Sequence, residues 1–347
     1  MKKVAVIGHF GFGHEYLDGQ TVKTKILTEE FCRCFGEDEV IKIDTHGGIK
    51  TLLQAPFQVS WALKNSENVI VLPAQNGVRV FGRLLPLFKN FFKKRKIHYS
   101  VIGGWLPKML ENKRGLARVL KKFDGIYVET STMKKALEQQ GFRNICVIPN
   151  CKKLMALRED ELVYPVSEPY KLCTFSRVMR EKGIEDAVNA VKAVNDKFQR
   201  TVFELDIYGP VDTAQTEWFD SLCKSFPQFV QYRGVVPFDK SVEVLKDYFA
   251  LLFPTRFYTE GVPGTIIDAY AAGVPVISAR WQSFADIVEE NVTGLGYEFC
   301  DEEDFLNNLL CVAEDVNRFN LMKPACLEYS NRFLPQEALK TLYEFFG

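Results

Sequence analysis

The sequence contains no long hydrophobic run. No apolar segment approaches the roughly 18 residues that a transmembrane helix needs, so we expect no membrane span. The opening residues, MKKVAVIGHFGFG, hold an apolar run of only five residues before Gly8 and His9. This pattern predicts a first β-strand and not a signal peptide.

The sequence also lacks a paired cysteine framework. Its nine cysteines are scattered and odd in number, and none forms a CxxC pair. This distribution disfavours a secreted disulfide scaffold and indicates reduced thiols in the cytoplasm. Cys32 and Cys34 are spaced like half of a metal site, but no second pair or histidine lies at ligand spacing. We therefore expect a cytoplasmic protein that binds no metal through these thiols.

Net charge is absent, but charge is unevenly distributed. Lys plus Arg and Asp plus Glu both total 44. Residues 81–122 nevertheless contain 12 Lys or Arg and one acid, whereas residues 281–317 contain ten acids and no Lys or Arg. The sequence thus predicts one basic and one acidic pole.

Residues 81–98 interleave Phe and Leu with Lys and Arg, and this segment has two interpretations. A basic, aromatic helix can lie on anionic lipid headgroups as a peripheral membrane contact. Alternatively, it is a core-facing helix whose last turn carries cations that suit the helix dipole. No recognition motif supports nucleic acid as a partner.

Strand-like and helix-like segments alternate along the chain, which predicts an α/β fold with parallel sheets covered on both faces. A length of 347 residues favours two domains, because single cores stop growing near about 250 to 300 residues. A polar stretch at 152–169 predicts the linker. We expect two Rossmann-like domains facing a deep cleft, at residues 1–165 plus 332–347 and at 166–331. The predicted strands of the first domain are Lys3–Ile7, Val40–Ile43, Val69–Leu72, Ile97–Ile102, Gly125–Val128 and Ile145–Ile148. The predicted helices between them lie near 49–64, 78–92, 106–122 and 131–140.

A glycine-rich loop follows the first strand and contains Gly11, Gly13 and Gly19. Turns of this kind let the backbone approach a phosphate closely, so we expect these glycines to bind substrate. The spacing is not GxGxxG, and no acid ends the second strand unless Asp44 serves, which disfavours nicotinamide binding. The alternative is a tight surface turn without a ligand. The following helix is predicted to begin near Gln20 or Thr21.

Residues 251–278, LLFPTRFYTEGVPGTIIDAYAAGVPVIS, predict a strand, a Gly/Pro-rich loop, a short helix and a second strand. In such units the ligand lies beyond the carboxyl ends of the strands, where helix amides point outward. Glu260 lies in the loop and Asp268 on the helix. Two carboxylates beside an anion-favouring helix N-terminus indicate a ligand with hydroxyls and phosphates, such as a sugar nucleotide. The loop residues expected to line it are Gly261, Val262, Pro263 and Gly264.

The pattern EGxPxxxxDAxAxGxPV in this stretch resembles the signature of glycosyltransferase family 4, the retaining sugar-nucleotide enzymes of the GT-B fold. The resemblance implies that Glu260 lies near the hydroxyls of the transferred sugar and that Asp268 binds the ribose. The second acid is usually Glu in the family, and Asp is one methylene shorter. The alternatives are an exposed loop acid at Glu260 and a solvated helix acid at Asp268.

Arg177 and Lys182 lie five residues apart where a predicted strand leads through a loop into a helix. A bidentate guanidinium and a point-charge ammonium can neutralise the charge that develops on a departing nucleoside diphosphate. Their SR…EKG pattern also resembles the family's, in which such an Arg and Lys bind the diphosphate. We expect these cations and Glu260 to carry the chemistry, without a bound metal or other cofactor; the alternative is a solvated pair of helix-flanking cations.

The remaining site residues are expected from the resemblance alone. Gly209 is expected to contact the substrate, and backbone near Val235 and Val236 is expected to hold the base, although both positions are also simple strand-end turns. Asn76 is expected to line the acceptor side. The histidines, at positions 9, 14, 46 and 98, do not match the family's usual first-domain histidine. In the family's front-face mechanism, the departing phosphate itself takes the acceptor proton.

Together these features predict a retaining glycosyltransferase that moves a sugar from a nucleoside diphosphate sugar to a hydroxyl. The resemblance suggests a carbohydrate or lipid-linked saccharide acceptor, a cell-surface polysaccharide pathway and a cytoplasmic, peripherally bound location. It also implies that the last helix, at 335–346, crosses back onto the first domain. The alternatives are a sugar-nucleotide epimerase of the same fold and a non-catalytic GT-B partner protein.

Overall fold

The computed structural model describes residues 1–13, 19–47 and 49–346. The chain divides into two units, Met1–Lys153 with Phe333–Gly347, and Leu154–Arg332. The division lies inside the linker predicted at 152–169. None of the described helices combines the length and the apolar character needed to cross a bilayer.

The first unit is built on a six-stranded parallel sheet with the order β2-β1-β3-β4-β5-β6. Its strands are β1 (Lys2–Gly8), β2 (Val40–Asp44), β3 (Ser66–Leu72), β4 (Lys96–Ser100), β5 (Gly125–Val128) and β6 (Ile145–Val147). Its helices before the linker are α1 (Gly19–Phe35), α2 (Ile49–Asn65), α3 (Gln75–Lys89), α4 (Leu106–Glu111), α5 (Arg114–Leu120) and α6 (Ser131–Gln139).

Both faces of this sheet are buried, which explains why its central strands are continuously apolar. Ala5 and Ile7 of β1 belong to one core, with residues of α2 and α3. Val4 and Val6 point the other way, into a core shared with α1. Successive strand residues alternate between faces, so a strand covered on both sides needs apolar residues at every position.

The C-terminal segment packs on the first unit, as predicted, in two short helices, α14 (Pro335–Ala338) and α15 (Lys340–Phe346). The ring of Phe346 lies 4.9 Å from that of Phe31 and 4.3 Å from that of His98, measured between centroids. Tyr343 donates a 2.9 Å hydrogen bond to Glu30. These contacts attach the end of the chain to α1 and β4.

The second unit has another six-stranded parallel sheet, with the order β12-β11-β10-β7-β8-β9. The chain runs outward from β7 through β8 to β9, returns to β10 on the other side of β7 and continues to β12. The point where the direction reverses lies between β7 and β10. The strands are β7 (Tyr170–Phe175), β8 (Phe203–Tyr208), β9 (Val230–Gly234), β10 (Ala250–Phe253), β11 (Val276–Ala279) and β12 (Gly294–Tyr297). The helices are α7 (Ile184–Phe198), α8 (Thr216–Cys223), α9 (Ser241–Leu245), α10 (Gly264–Ala271), α11 (Phe284–Ile287), α12 (Glu302–Glu314) and α13 (Val316–Ser330).

These two α/β sheets confirm the predicted pair of Rossmann-like folds. Some helix bounds were wrong. The single helix predicted at 106–122 is interrupted at Asn112 and Lys113, where the backbone of Lys113 leaves helical geometry at φ −131° and ψ 55°. The helix predicted at 78–92 spans Gln75–Lys89. Apolar periodicity continues through both ends and therefore does not mark them.

Candidate active site

The candidate site of the second unit lies where β7 and β10 end side by side. These strands are paired in parallel, with Leu172 beside Ala250 and Cys173 beside Leu251. Their carboxyl ends therefore lie at the same edge of the sheet, at the reversal of strand order. In open α/β sheets this position is where ligands bind. The segment after β7 carries Arg177 and Lys182, and the segment after β10 carries Glu260.

Gly183 brings these two segments together. It has a left-handed conformation at φ 67° and precedes the first turn of α7. A β-carbon at this position would lie 1.9 Å from the carbonyl oxygen of Pro254, just beyond β10. Only glycine permits that approach together with that backbone geometry. The glycine of the EKG sequence thus places Lys182 beside the loop that holds Glu260.

Lys182 and Glu260 form an ion pair across the two segments, with Lys182 Nζ donating to Glu260 Oε1. Thr255 Oγ1 donates to the same carboxylate oxygen over 3.2 Å. Both charged side chains are 18 % exposed. The ammonium also lies 5.0 Å from the ring centre of Phe257 and 5.5 Å from that of Phe253. A cation and a carboxylate are therefore held together in a partly dehydrated place, where electrostatic interactions are stronger than in bulk water.

Arg177 lies on the same edge but is more open. Its side chain is 55 % exposed, and Nη1 lies 3.7 Å from Asp212 Oδ2. The backbone around it is fixed, because Val178 N donates to the Pro210 carbonyl and Asp212 N donates back to the Val178 carbonyl. An exposed guanidinium on a hydrogen-bonded backbone can contact an anion at this edge.

Gly209 has a packing role in addition to any ligand role. Its φ is 130°, and an added β-carbon would lie 1.8 Å from the carbonyl oxygen of Ser176. Its amide donates to the carbonyl of Gly234 over 2.9 Å. The ends of β7, β8 and β9 are thereby joined, as the strand-end-turn interpretation expects. Val235 follows directly and is exposed.

Helix α10 begins beside this edge and carries the second acid. Pro263 precedes its first turn with φ −67° and ψ 125°, and its carbonyl accepts from the amide of Ile266. Gly261 and Val262 are buried, while Pro263 and Gly264 are half-buried. Asp268 is only 3 % exposed, so the solvated-acid interpretation of this residue is wrong. Burying a carboxylate costs free energy unless the charge is paired. Asp268 is thus a residue of the protein interior next to the candidate site.

In the first unit, the glycine-rich loop is shaped by Asp44, at the end of β2. Its carboxylate accepts hydrogen bonds from the amides of Phe10, Phe12 and His46 over 2.8 to 3.0 Å. Burial raises the pKa of Asp44, but these amides and that of Gly11 outweigh burial and lower the pKa overall. The Asp44 carboxylate is thus hydrogen-bonded to the loop itself. In a dinucleotide-binding strand, by contrast, an acid at this position contacts the ribose.

The other predicted residues of the first unit are placed as follows. Gly11 and Gly13 have positive φ values of 61° and 83°, as a phosphate-approaching turn would require. Gly19 begins α1, and Asn76 lies exposed in the first turn of α3. The rest of the loop, residues 14–18 with His14, lies outside the described residues.

Sequence reasoning missed a cavity of about 440 Å³ at the carboxyl edge of this first sheet. His9 and His46 line it, and their Nε2 and Nδ1 atoms lie 3.0 Å apart. His9 Nδ1 also lies 2.6 Å from Thr21 Oγ1. The two histidines are 37 positions apart, and only the pairing of β1 with β2 brings them together. His98, by contrast, is a core residue between Asn68 and Tyr127, and burial lowers its pKa to about 3.

Comparison with known proteins gives one family and one fold. Residues 169–315 match the family model described as glycosyl transferases group 1. The search of curated proteins found no significant match.

Among solved structures, the lipopolysaccharide outer core galactosyltransferase WaaB in its apo form is 18% identical, with a TM-score of 0.73 over 99% of this chain and 98% of that one. Alr3699/HepE of Anabaena in complex with UDP and glucose is 14% identical, with a TM-score of 0.74 over 99% and 98%. TarM of S. aureus in a complex that includes UDP is 16% identical, with a TM-score of 0.67 over 86% of this chain. The chain spans 59% of the length of TarM.

At these identities the structural likeness shows the fold, whereas the family match shows a sequence similarity over residues 169–315 of the second unit. The matched residues run from the start of β7 into α12 and include Arg177, Lys182, Glu260 and Asp268. The chain therefore has the fold of these solved structures, with two Rossmann-like units, and residues 169–315 of its second unit resemble the glycosyl transferases group 1 family.

Proposed function

We propose that this chain transfers a sugar from a nucleoside diphosphate sugar to a hydroxyl acceptor with retention of configuration. The observation that carries the proposal is the contact between Lys182 and Glu260 where β7 and β10 end. In this contact the ammonium of Lys182 lies next to the carboxylate of Glu260, and we assign the ammonium to the diphosphate and the carboxylate to the sugar hydroxyls. UDP is bound in the HepE and TarM structures, so a UDP-sugar is the donor to test first.

Charge development explains the roles of the residues. When the bond between the anomeric carbon and the diphosphate breaks, its electron pair goes to the phosphate oxygen. Arg177 and Lys182 would stabilise that charge, and fixed cations of this kind supply a large share of catalysis in phosphate chemistry. The acceptor oxygen bonds to the same face of the anomeric carbon, and its proton passes to the departing phosphate. With two cations at this edge, we propose that the reaction uses no bound metal.

Glu260 would change partners when the donor binds. In the ligand-free site its carboxylate accepts from Lys182 and Thr255. A diphosphate would compete for Lys182 and leave carboxylate oxygens to accept from sugar hydroxyls, which strengthens positioning of the sugar. Asp268 would accept from the ribose through its buried carboxylate, and the backbone near Val235 would hold the base.

For the acceptor, we propose a lipid-linked saccharide of a cell-surface polysaccharide pathway, used on the cytoplasmic side of a membrane. The support is the likeness in fold to WaaB, a lipopolysaccharide outer core galactosyltransferase. The cavity of the first unit, lined in part by His9, His46 and Gly77, offers a place for a saccharide close to Asn76.

The proposal is tested with Glu260→Gln and Arg177→Ala, assayed with UDP-hexoses and a panel of saccharide acceptors. We expect each change to lower kcat/KM by about 100-fold or more, since each removes an electrostatic contact to the reacting groups. Glu217→Gln is the matched control, because Glu217 is an exposed acid on α8 of the same unit. NMR of the product should show the anomeric configuration of the donor.

Each competing function has its own outcome in this assay. Conversion of the donor sugar without an acceptor product would identify an epimerase. Calorimetric binding of UDP with no turnover on any acceptor would identify a non-catalytic partner protein. Full activity of Glu260→Gln or Arg177→Ala would discard the site.

A further inference from the structure

Helices α2 and α3 pack side by side on one face of the first sheet, and both expose large apolar side chains. On α2, Leu53 is 78 % exposed, Phe57 is 76 % exposed and Trp61 is 43 % exposed. On α3 and the turn after it, Leu87 and Phe91 are 57 % and 79 % exposed. Both sets repeat every four residues, so each forms a stripe along one side of its helix. We call the surface that carries both stripes the α2–α3 face.

The stripes are separate from the sides of the helices that stabilise the fold. Helix α2 buries Ala55, Val59, Ala62 and Leu63 in the core on its opposite side. A helix that needs only to cover a sheet carries polar residues on its outer side. Contiguous exposed apolar groups of this kind mark a binding surface. The α2–α3 face therefore has the composition of an interface.

The charge around the face identifies what would bind there. Residues 45–110 contain ten Lys or Arg and a single acid, Glu67. The exposed cations of the face are Lys64, Arg79, Arg83, Lys93 and Lys94. Among the residues that the structure describes, none of these five forms an ion pair. An anionic surface would neutralise these cations. To match the apolar stripes as well, it must also have an apolar region beneath its charged layer.

Residues 81–98 have a side that faces the core, as the second interpretation expects, and an outward side. Phe88 and Phe92 pack against the core. Lys89 Nζ lies 2.6 Å from Asp124 Oδ2, and Arg95 Nε donates to the Leu63 carbonyl. These residues are structural. The outward residues of this segment, by contrast, lie on the same face as the apolar stripe and Lys64 of α2. The sequence pattern of 81–98 alone did not include α2.

We propose that the α2–α3 face docks on an anionic phospholipid bilayer. Phe57, Trp61 and Phe91 would enter the headgroup region, and the surrounding cations would lie on lipid phosphates. Aromatic rings beside Lys and Arg are the residues that favour a membrane–water interface. A second copy of this chain is a poorer occupant, because a symmetric contact would bring the same cations together. The proposal is independent of the active site in the second unit.

The test is co-sedimentation of the full chain with vesicles of phosphatidylcholine alone or mixed with phosphatidylglycerol. We expect binding to the anionic vesicles that weakens as salt is raised. The variant Arg83→Gln/Lys93→Gln/Lys94→Gln should lower the partition coefficient by about 100-fold, since each cation contributes about fivefold near an anionic surface. Phe57→Ser/Phe91→Ser should lower it further at high salt, where the apolar contribution remains.

Matched controls lie in the second unit, where Lys192, Lys197, Lys224 and Leu321 are exposed. Lys192→Gln/Lys197→Gln/Lys224→Gln makes the same change in net charge, and Leu321→Ser removes an equally exposed apolar group. Neither should change binding. The proposal is overturned if wild-type protein does not bind anionic vesicles, or if control and face variants lose binding equally. It is also overturned if the face variants convert a dimer into a monomer while vesicle binding stays the same.

Discussion

Replacement of Gly183 by alanine tests whether the close approach of two segments builds the candidate active site. The structure predicts two separate costs. The first is the left-handed backbone at φ 67°, which costs a residue with a β-carbon about 1 to 2 kcal/mol. The second is the contact of that β-carbon with the carbonyl oxygen of Pro254, at 1.9 Å.

The second cost is the larger one. Real β-carbons essentially never approach another heavy atom within 3.0 Å, so the start of α7 and the end of β10 must separate by more than an ångström. The obstacle is backbone, which cannot turn away as a flexible side chain would. Forced repacking of this kind costs about 1 to 3 kcal/mol. We therefore expect Gly183→Ala to lower the free energy of unfolding by about 2 to 5 kcal/mol in all.

Two other glycines separate the contributions. Gly234 has φ 79° but nothing within 4 Å of an added β-carbon, so Gly234→Ala should lose only the backbone cost of about 1 to 2 kcal/mol. Gly115, in α5, has neither a positive φ nor a neighbour within 4 Å. Gly115→Ala should leave stability unchanged or raise it by up to about 1 kcal/mol.

The assay is urea unfolding followed by circular dichroism and tryptophan fluorescence, with a separate fit for each unit if the transitions separate. Activity is measured at a temperature where all variants are folded. Because the separation would also draw Lys182 away from Glu260, Gly183→Ala should lose turnover even while folded. If Gly183→Ala were no less stable than Gly234→Ala, the close approach would not be a constraint and our account of the site's assembly would be wrong.

Two further predictions concern buried polar groups of the second unit. Burial lowers the pKa of Lys323 to about 8 from its ordinary 10.5. Between these two pKa values the folded state therefore binds fewer protons than the unfolded state. Burial of the charged Lys323 side chain lowers the free energy of unfolding by its full amount below about pH 8, and this loss disappears as the pH rises toward 10.5. Lys323→Met should raise the free energy of unfolding by up to about 3 kcal/mol at pH 7 and by less at pH 10, as measured by urea unfolding at both pH values. A lower stability of the variant at pH 7 would contradict this. Asn195 accepts from the amides of Val202 and Phe203 and donates to the Phe203 carbonyl over 2.8 to 3.0 Å. Asn195→Ala should lower the free energy of unfolding by about 3 kcal/mol, because it leaves buried backbone groups unpaired. Thermal unfolding measures this loss, with Asn308→Ala at a half-exposed position as the control. Equal losses of stability in the two variants would refute the prediction.

Much of the fold could be predicted because it depends on local pattern. Strands buried on both faces need uninterrupted apolar runs, and such runs mark β1, β3 and β10 directly. The loop of Glu260 is recognisable because its glycines and prolines meet local backbone needs. The helix ends at Lys89 and Glu111 were less predictable, because apolar residues continue past them and the surrounding core decides where the helix stops.

By itself, the sequence determined the order of strands and helices, the uneven distribution of charge along the chain and the residue types of the candidate site. Only the tertiary structure decided which of those residues meet. Lys182 and Glu260 are 78 positions apart, and they touch because β10 pairs with β7 and Gly183 admits the Pro254 carbonyl. The same holds for His9 with His46, for the burial of Asp268, and for the stripe of α2 beside that of α3. Periodicity indicates which side of a helix or strand is buried. Contacts between distant segments depend on the order of strands in the sheet and on close packing, and no local sequence pattern contains that information.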